Sequence, residues 1–138
     1  MPIIEDYDEL RKILEESETV AVVGISPQSH RPSHFVSAVV KRYGFRMYLV
    51  NPNYAGQEIL GEKVFSSLAE IPEEIDIVDV FRRPSAVLKV AVEAKEKGFK
   101  TFWLQPGTEN PDVMRELDSE GYNVVPGICI KICCQILL

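Results

Sequence analysis

A chain of 138 residues, 46% apolar and 26% charged, has the size of one domain of the usual ~100–200 residues and is too balanced for a disordered tail, a collagen-like repeat or a coiled-coil rod. Its 21 acidic against 15 basic side chains leave a net charge of −6, which disfavours gripping a nucleic-acid backbone or an anionic membrane, so a bound phosphate must be held locally. No apolar run reaches the ~18–20 residues of a membrane span, and the opening Met1-Pro2-Ile3-Ile4-Glu5-Asp6 lacks the pattern of a signal peptide, so the cytoplasm is the expected compartment.

In chain order, residues 8–16 place Leu10, Ile13 and Leu14 at helical spacing with acids toward the start, which predicts a short amphipathic helix. Thr19 to Gly24 is a brief β-branched run ending in glycine, the signature of a strand buried on both faces. Similar runs follow at 46–51, 75–81, 100–105 and 122–126. Helical stretches at 33–43, 84–97 and 110–120 lie between them and end near Gly44, Gly98 and Gly121. The segment 54–74 has turn signals and a weak helical patch near Ser66–Ala69, and is expected to be a long connection with one short helix. This alternation predicts an α/β, three-layer, Rossmann-like fold with a mainly parallel five-stranded sheet. No repeat, low-complexity segment or linker divides the chain, so one domain is expected over residues 1–138.

Ligands of such sheets sit beyond the carboxyl ends of the strands, near the point where strand order reverses. Five loops should meet there, around residues 24–27, 50–53, 81–84, 105–107 and 126–129. The first, Gly24-Ile25-Ser26-Pro27-Gln28-Ser29-His30-Arg31-Pro32-Ser33, joins strand to helix and could offer backbone N–H groups, the Ser26 and Ser33 hydroxyls and the Arg31 guanidinium to a pyrophosphate. A helix cap with a solvated loop is the structural alternative. Arg82 and Arg83 at another strand–helix junction suit a terminal phosphate, unless one of them merely pairs with Asp79 or Glu58. An NAD-type dinucleotide site is the reflex alternative, but Ser26 and Ser29 replace glycines of the G-x-G-x-x-G pattern, and Asn51-Pro52 stands where an acid should take the ribose.

As a set, Gly24-Ile25-Ser26-Pro27, Arg31-Pro32-Ser33, Val50-Asn51-Pro52, Ile59-Leu60-Gly61, Asp76 to Pro84, Trp103-Leu104-Gln105 and Cys129-Ile130-Lys131 resemble the small, single-domain CoA-binding proteins. That family is similar to the CoA-binding domain of succinyl-CoA synthetase α chains and of NDP-forming acyl-CoA synthetases. The resemblance runs over about residues 19–131 and implies a Rossmann-like fold with coenzyme A as cofactor. It implies that Gly24, Ser26, Pro27, Arg31 and Ser33 wrap the phosphates, and that Val50, Asn51, Pro52 and Asn53 lie beside the 3′-phosphoadenosine. Phe81, Arg82, Arg83, Pro84 and Val87 would flank the adenine side, and Leu104, Gln105 and Gly107 the pantetheine path. Relatives often carry a basic residue where this chain has Asn53, so Arg82, Arg83 or Arg31 would have to meet the 3′-phosphate. The phosphohistidine loop and nucleotide-grasping domain of the full synthetases have no counterpart in this sequence.

The three cysteines, Cys129, Cys133 and Cys134, do not form a disulfide framework or a zinc pattern, and reduced thiols with no metal are expected. Cys129 follows the last strand end and is the candidate thiol for a mixed disulfide with CoA or an acyl transfer; the alternative is inert packing between Ile128 and Ile130. The two histidines, His30 and His34, lack a carboxylate orienter within their own segment, and no catalytic residue is assigned. Residues 128–138 are almost wholly apolar, a run that core packing or a homodimer would cover. The sequence therefore predicts a holder of CoA or an acyl-CoA, non-catalytic alone, with no nucleic-acid or membrane partner. A CoA-thiol transferase or redox module using Cys129 is the alternative.

Overall fold

The computed structural model describes residues 3–138; Met1 and Pro2 of the opening segment lie outside the described residues. Helix α1 spans Tyr7–Glu16, β1 Thr19–Val23, α2 Pro32–Lys41 and β2 Arg46–Val50. A short hairpin follows, β3 Glu58–Ile59 and β4 Glu62–Phe65, then β5 Ile75–Val80, α3 Pro84–Lys97 and β6 Phe99–Leu104. The chain closes with α4 Pro111–Ser119, β7 Asn123–Pro126 and α5 Ile130–Leu137.

The strands lie in the order β3-β4-β2-β1-β5-β6-β7, all pairs parallel except β3 on β4. With the edge strand β3 set aside, this is the doubly wound Rossmann order, and the winding reverses between β1 and β5. β1 is buried along its whole length because its alternate residues enter different layers. Val20 and Val22 meet α1, α2 and α5 through Leu14, Val36, Val40 and Ile130. Ala21 and Val23 lie in the opposite layer with Val87, Ala91 and Ala94 of α3 and Val113 and Leu117 of α4. A central parallel strand with helices on both faces has no polar side to offer, hence its continuous apolar reading.

Two features differ from the sequence expectation. The sheet has seven strands rather than five, because the segment expected to be a long connection contains β3 and β4, and the helical patch is a single 3-10 turn at Leu68–Glu70. Leu60 and Gly61 turn the hairpin with φ of +53° and +77°, the left-handed pair that a tight two-residue hairpin loop requires. Lys41 Nζ fixes the turn by donating to Leu60 O at 2.6 Å and lying 3.1 Å from the Glu62 carboxylate. The apolar terminus forms α5, which packs Ile130, Cys133 and Cys134 into the layer beside α1 and α2. Its entry is set by Trp103, fully buried in β6, whose Nε1 donates to Ile128 O at 2.7 Å. That bond brings Cys129 to the carboxyl rim of the sheet. No helix among the described residues is long and apolar enough to cross a membrane.

Candidate binding site at the carboxyl rim

A cleft of about 890 Å³ opens at the switch point, floored by the ends of β1, β5 and β6 and walled by the starts of α2 and α5. That volume falls in the ~300–1,000 Å³ range of small-molecule and cofactor sites. Gly24 sets its geometry. The residue sits at φ +100°, and a Cβ there would fall 2.4 Å from Phe81 O and 3.0 Å from Arg82 Cδ. Only glycine lets the two switch-point loops approach this closely.

The first loop is folded back on itself. Ser26 Oγ accepts from Gln28 N at 3.1 Å, Ser26 O lies 3.0 Å from His34 Nδ1, and Arg31 N donates to Gln28 O at 3.0 Å. Asn51, at the end of β2, ties this loop to the next: its Nδ2 donates to Ile25 O at 2.8 Å and its Oδ1 accepts from Asn53 N at 3.0 Å. The side chain of Asn51 is thereby engaged in shaping the cleft wall.

The helices starting at this cleft share an electrostatic pattern. α2, α3 and α5 have Arg31, Arg83 and Cys129 at their N-caps, none making a side-chain cap bond, and none of the three has an acid in its first turn. α1 and α4, by contrast, are capped by Asp6 and Asn110 and carry acids in their first turns. An uncapped N-terminus leaves backbone donors and the positive end of the helix dipole available to an anion. Arg31, Arg82, Arg83 and Lys131 all line the cleft, and among the described residues none is in an ion pair. The suggested pairing of an arginine with Asp79 or Glu58 does not form. Lys131 Nζ instead sits 5.4 Å above the ring of Phe35.

Asp79 is buried on β5, where it accepts from Gln105 Nε2 at 2.6 Å. Burial pushes its carboxyl up to about 7, against the opposing effect of the Gln105 bond. Thr108 closes the Gln105–Gly107 turn by donating to Gln105 O at 2.7 Å. At the mouth, Cys129 is half-buried and lines the cleft, whereas Cys133 and Cys134 are buried. Burial pushes their thiols up to about 11 and about 12, so the two behave as packing groups rather than nucleophiles.

Of the residues predicted for the site, Gly24, Ser26, Arg31, Ser33, Asn51, Asn53, Phe81, Arg82, Arg83, Gln105 and Gly107 line this one cleft. Six others do not. Val50 and Leu104 point into the helix-covered layer, since the last residue of a central strand is still core, and Val87 enters the same layer from the buried face of α3. Pro27, Pro52 and Pro84 are exposed outside the lining. Sequence reasoning missed Phe35, Val36, Tyr54 and Ile132, which reach the cleft from helices and a 3-10 turn. Their only signal was membership of elements that begin at the rim.

A family model for a CoA binding domain matches residues 18–135. The chain is 40% identical over 124 residues to the uncharacterized protein YneT of Bacillus subtilis, covering 90% of each chain. It is 30% identical over 110 residues to the ADP-forming acetate–CoA ligase I of Archaeoglobus fulgidus, a match that takes in 72% of this chain but only 15% of that much longer protein. Among solved structures it resembles cell-free ID.343 of Thermus thermophilus, with a TM-score of 0.93 at 34% identity, covering 97% of this chain and all of the other.

Proposed function

Since the chain belongs to the CoA-binding domain family, we propose that it holds coenzyme A or an acyl-CoA in the carboxyl-rim cleft, in the cytoplasm, and catalyses no reaction on its own. One observation carries this reading. In a chain of net charge −6, unpaired cations and uncapped helix starts converge on a single cleft. A multiply phosphorylated ligand supplies the charge that this arrangement lacks.

In this reading the diphosphate lies against the start of α2, between Ser26, Ser33 and Arg31. Arg82 and Arg83 take the 3′-phosphate, where the guanidinium fork matches phosphate geometry. The pantetheine arm runs along Gln105 and Gly107 toward Cys129. Titration calorimetry with CoA tests the proposal, and saturable binding that is tighter than that of dephospho-CoA is the expected result. Recovery of NAD or FAD in place of CoA from the purified protein, or no saturation at millimolar CoA, overturns it.

The position of Cys129 favours a second reading, in which its thiolate attacks a CoA-containing disulfide and releases the other half as a thiol, leaving a Cys129–CoA mixed disulfide, or takes the acyl group of a bound acyl-CoA and releases the CoA thiol. The disulfide form predicts a reducible mass increase of one CoA that is lost in Cys129→Ser. Turnover that survives Cys129→Ser would exclude the acyl-transfer form.

A further inference from the structure

The pair beneath the cleft floor carries an inference of its own, which rests on the reading that the cleft holds CoA. We propose that Asp79 is a positioning residue. By taking the Gln105 Nε2 hydrogen at 2.6 Å, it turns the amide oxygen of Gln105 into the cleft as an acceptor for an amide N–H of the pantetheine arm.

Above its raised titration range, as at pH 8, the Asp79 carboxylate is ionised and only accepts, so the Gln105 side chain must face it with its NH₂ end. Its Oε1 is then directed away from Asp79. Among the described residues that oxygen accepts no hydrogen bond, and Gln105 lines the cleft although only 3% of it is exposed. Adjacent strands hold the pair in register: Asp79 of β5 lies opposite Trp103 of β6, and Gln105 N continues the ladder to Val80 O.

The arrangement is unfavourable for the fold taken alone. Asp79 is 1% exposed and its Oδ2 has no partner, an uncompensated polar atom in a central strand. From the helical layer the buried Cys134 thiol of α5 feels the Asp79 charge, and among the described residues no cation lies within ion-pair distance of the carboxylate. An apolar or amide side chain would satisfy packing with less penalty. What the carboxylate adds is direction, because it allows only one orientation of the Gln105 amide. Pantetheine, with its amide N–H groups, is the part of CoA that can use a fixed acceptor at this depth.

The test, at pH 8 where Asp79 is ionised, compares CoA with adenosine 3′,5′-bisphosphate, which lacks the pantetheine arm. Asp79→Asn keeps the shape but lets both amides turn, since asparagine can donate as well as accept. The expected result is CoA binding weakened about threefold to tenfold, the worth of one hydrogen bond, with the bisphosphate unchanged within twofold and the melting temperature at pH 8 no lower than wild type. Gln105→Leu should give the same selective loss, and the double variant no further loss, because both changes remove one contact. Equal weakening of both ligands, or losses that add, would overturn the assignment. Wild-type protein that binds the bisphosphate but not CoA, or neither, overturns the cofactor reading itself.

A second measurement needs no variant at position 79. In wild-type protein the Gln105 side-chain amide signal, identified by its loss in Gln105→Leu, should keep its exchange protection when CoA is added. Loss of that protection on binding would show that the amide turns toward the ligand, and would refute the proposal.

Discussion

The two rims of the sheet carry the same kinds of residue and treat them in opposite ways. At the amino rim the starts of β1, β2, β5 and β6 are tied down. Arg46 of β2 lies 2.7 Å from Glu73 and 3.3 Å from Glu18, and Tyr48 donates to the same Glu73 carboxylate. Asp76 of β5 accepts the N–H groups of Glu18 and Thr19 and lies 3.4 Å from Lys100. Thr19 Oγ1 closes the set on Glu74 O at 2.9 Å. At the carboxyl rim the cleft cations and the starts of α2, α3 and α5 are left open. The chain thus answers its own charges where it needs only a fold, and leaves them unanswered where an external anion would complete them.

The sharpest way to break this contrast is to spoil the close approach that forms the carboxyl rim. Gly24→Ala adds a Cβ 2.4 Å from a backbone oxygen at a positive φ, and should destabilise the protein by about 3–4 kcal/mol in urea unfolding. Gly107→Ala separates the two causes. Gly107 also has a positive φ, +91°, but open space around it, so its loss should be only the ~1–2 kcal/mol of backbone strain. Equal losses would mean that the loop contact at Gly24 is not what shapes the cleft.

Removing the open charge comes next in size. Arg82→Ala together with Arg83→Ala should weaken CoA by about tenfold to a hundredfold, as expected for charged hydrogen bonds worth ~1.5–3 kcal/mol, and dephospho-CoA much less. Arg46→Ala, at the self-satisfied rim, should leave CoA affinity within twofold. Calorimetry on the three ligand–variant pairs checks both statements. A similar loss from Arg46→Ala would show that net charge alone, rather than its placement, governs binding.

How much of this was legible follows from the same division. β1, β2, β5, β6 and β7 were readable because burial writes apolar, often β-branched runs such as Thr19-Val20-Ala21-Val22-Val23, closed by a glycine that the cleft itself requires. The β3–β4 hairpin was not: Glu58-Ile59 and Glu62-Lys63-Val64-Phe65 are too short to show a period, and the turn uses Leu60 where asparagine or glycine would be the signal. α5 was hidden for another reason. Ile130, Cys133, Cys134 and Leu137 keep helical spacing, but the exposed Ile132 and Ile136 fill the opposite face with apolar residues and erase the contrast. Strand-end cleft residues could be found from topology. Phe35 and Ile132 could not, since their entry depends on helix orientation.

Proton linkage gives a finer comparison between a buried carboxyl and an exposed one. Asp79 is pushed up to about 7 from the ordinary carboxylate range near ~4. A raised acid gives its full stability below the unfolded value and loses it as pH climbs toward the folded one, so Asp79 erodes stability between about pH 4 and 7. Asp79→Asn should therefore melt higher than wild type at pH 8, with the difference vanishing near pH 4. A constant difference across that range would mean that Asp79 does not titrate in the folded protein.

Glu73 runs the other way and is the smallest effect. Its hydrogen bond from Arg46, joined by that from Tyr48, lowers the carboxyl to about 2. A lowered acid contributes above its unfolded value and loses that contribution as pH falls toward the folded one, so the window is about pH 4.5 down to 2. The pair is exposed to solvent, which screens most of its attraction. Glu73→Gln should accordingly flatten only the acid end of the melting-temperature profile, by a degree or two on the scale of a surface pair, and 0.5 M salt should erase most of the difference between variant and wild type. Because this cluster lies at the opposite end of the strands from the cleft, CoA should bind the variant as it binds wild type at every pH where both are folded. A change in CoA affinity that followed Glu73 would join the two rims electrostatically, and the division of labour between them would no longer hold.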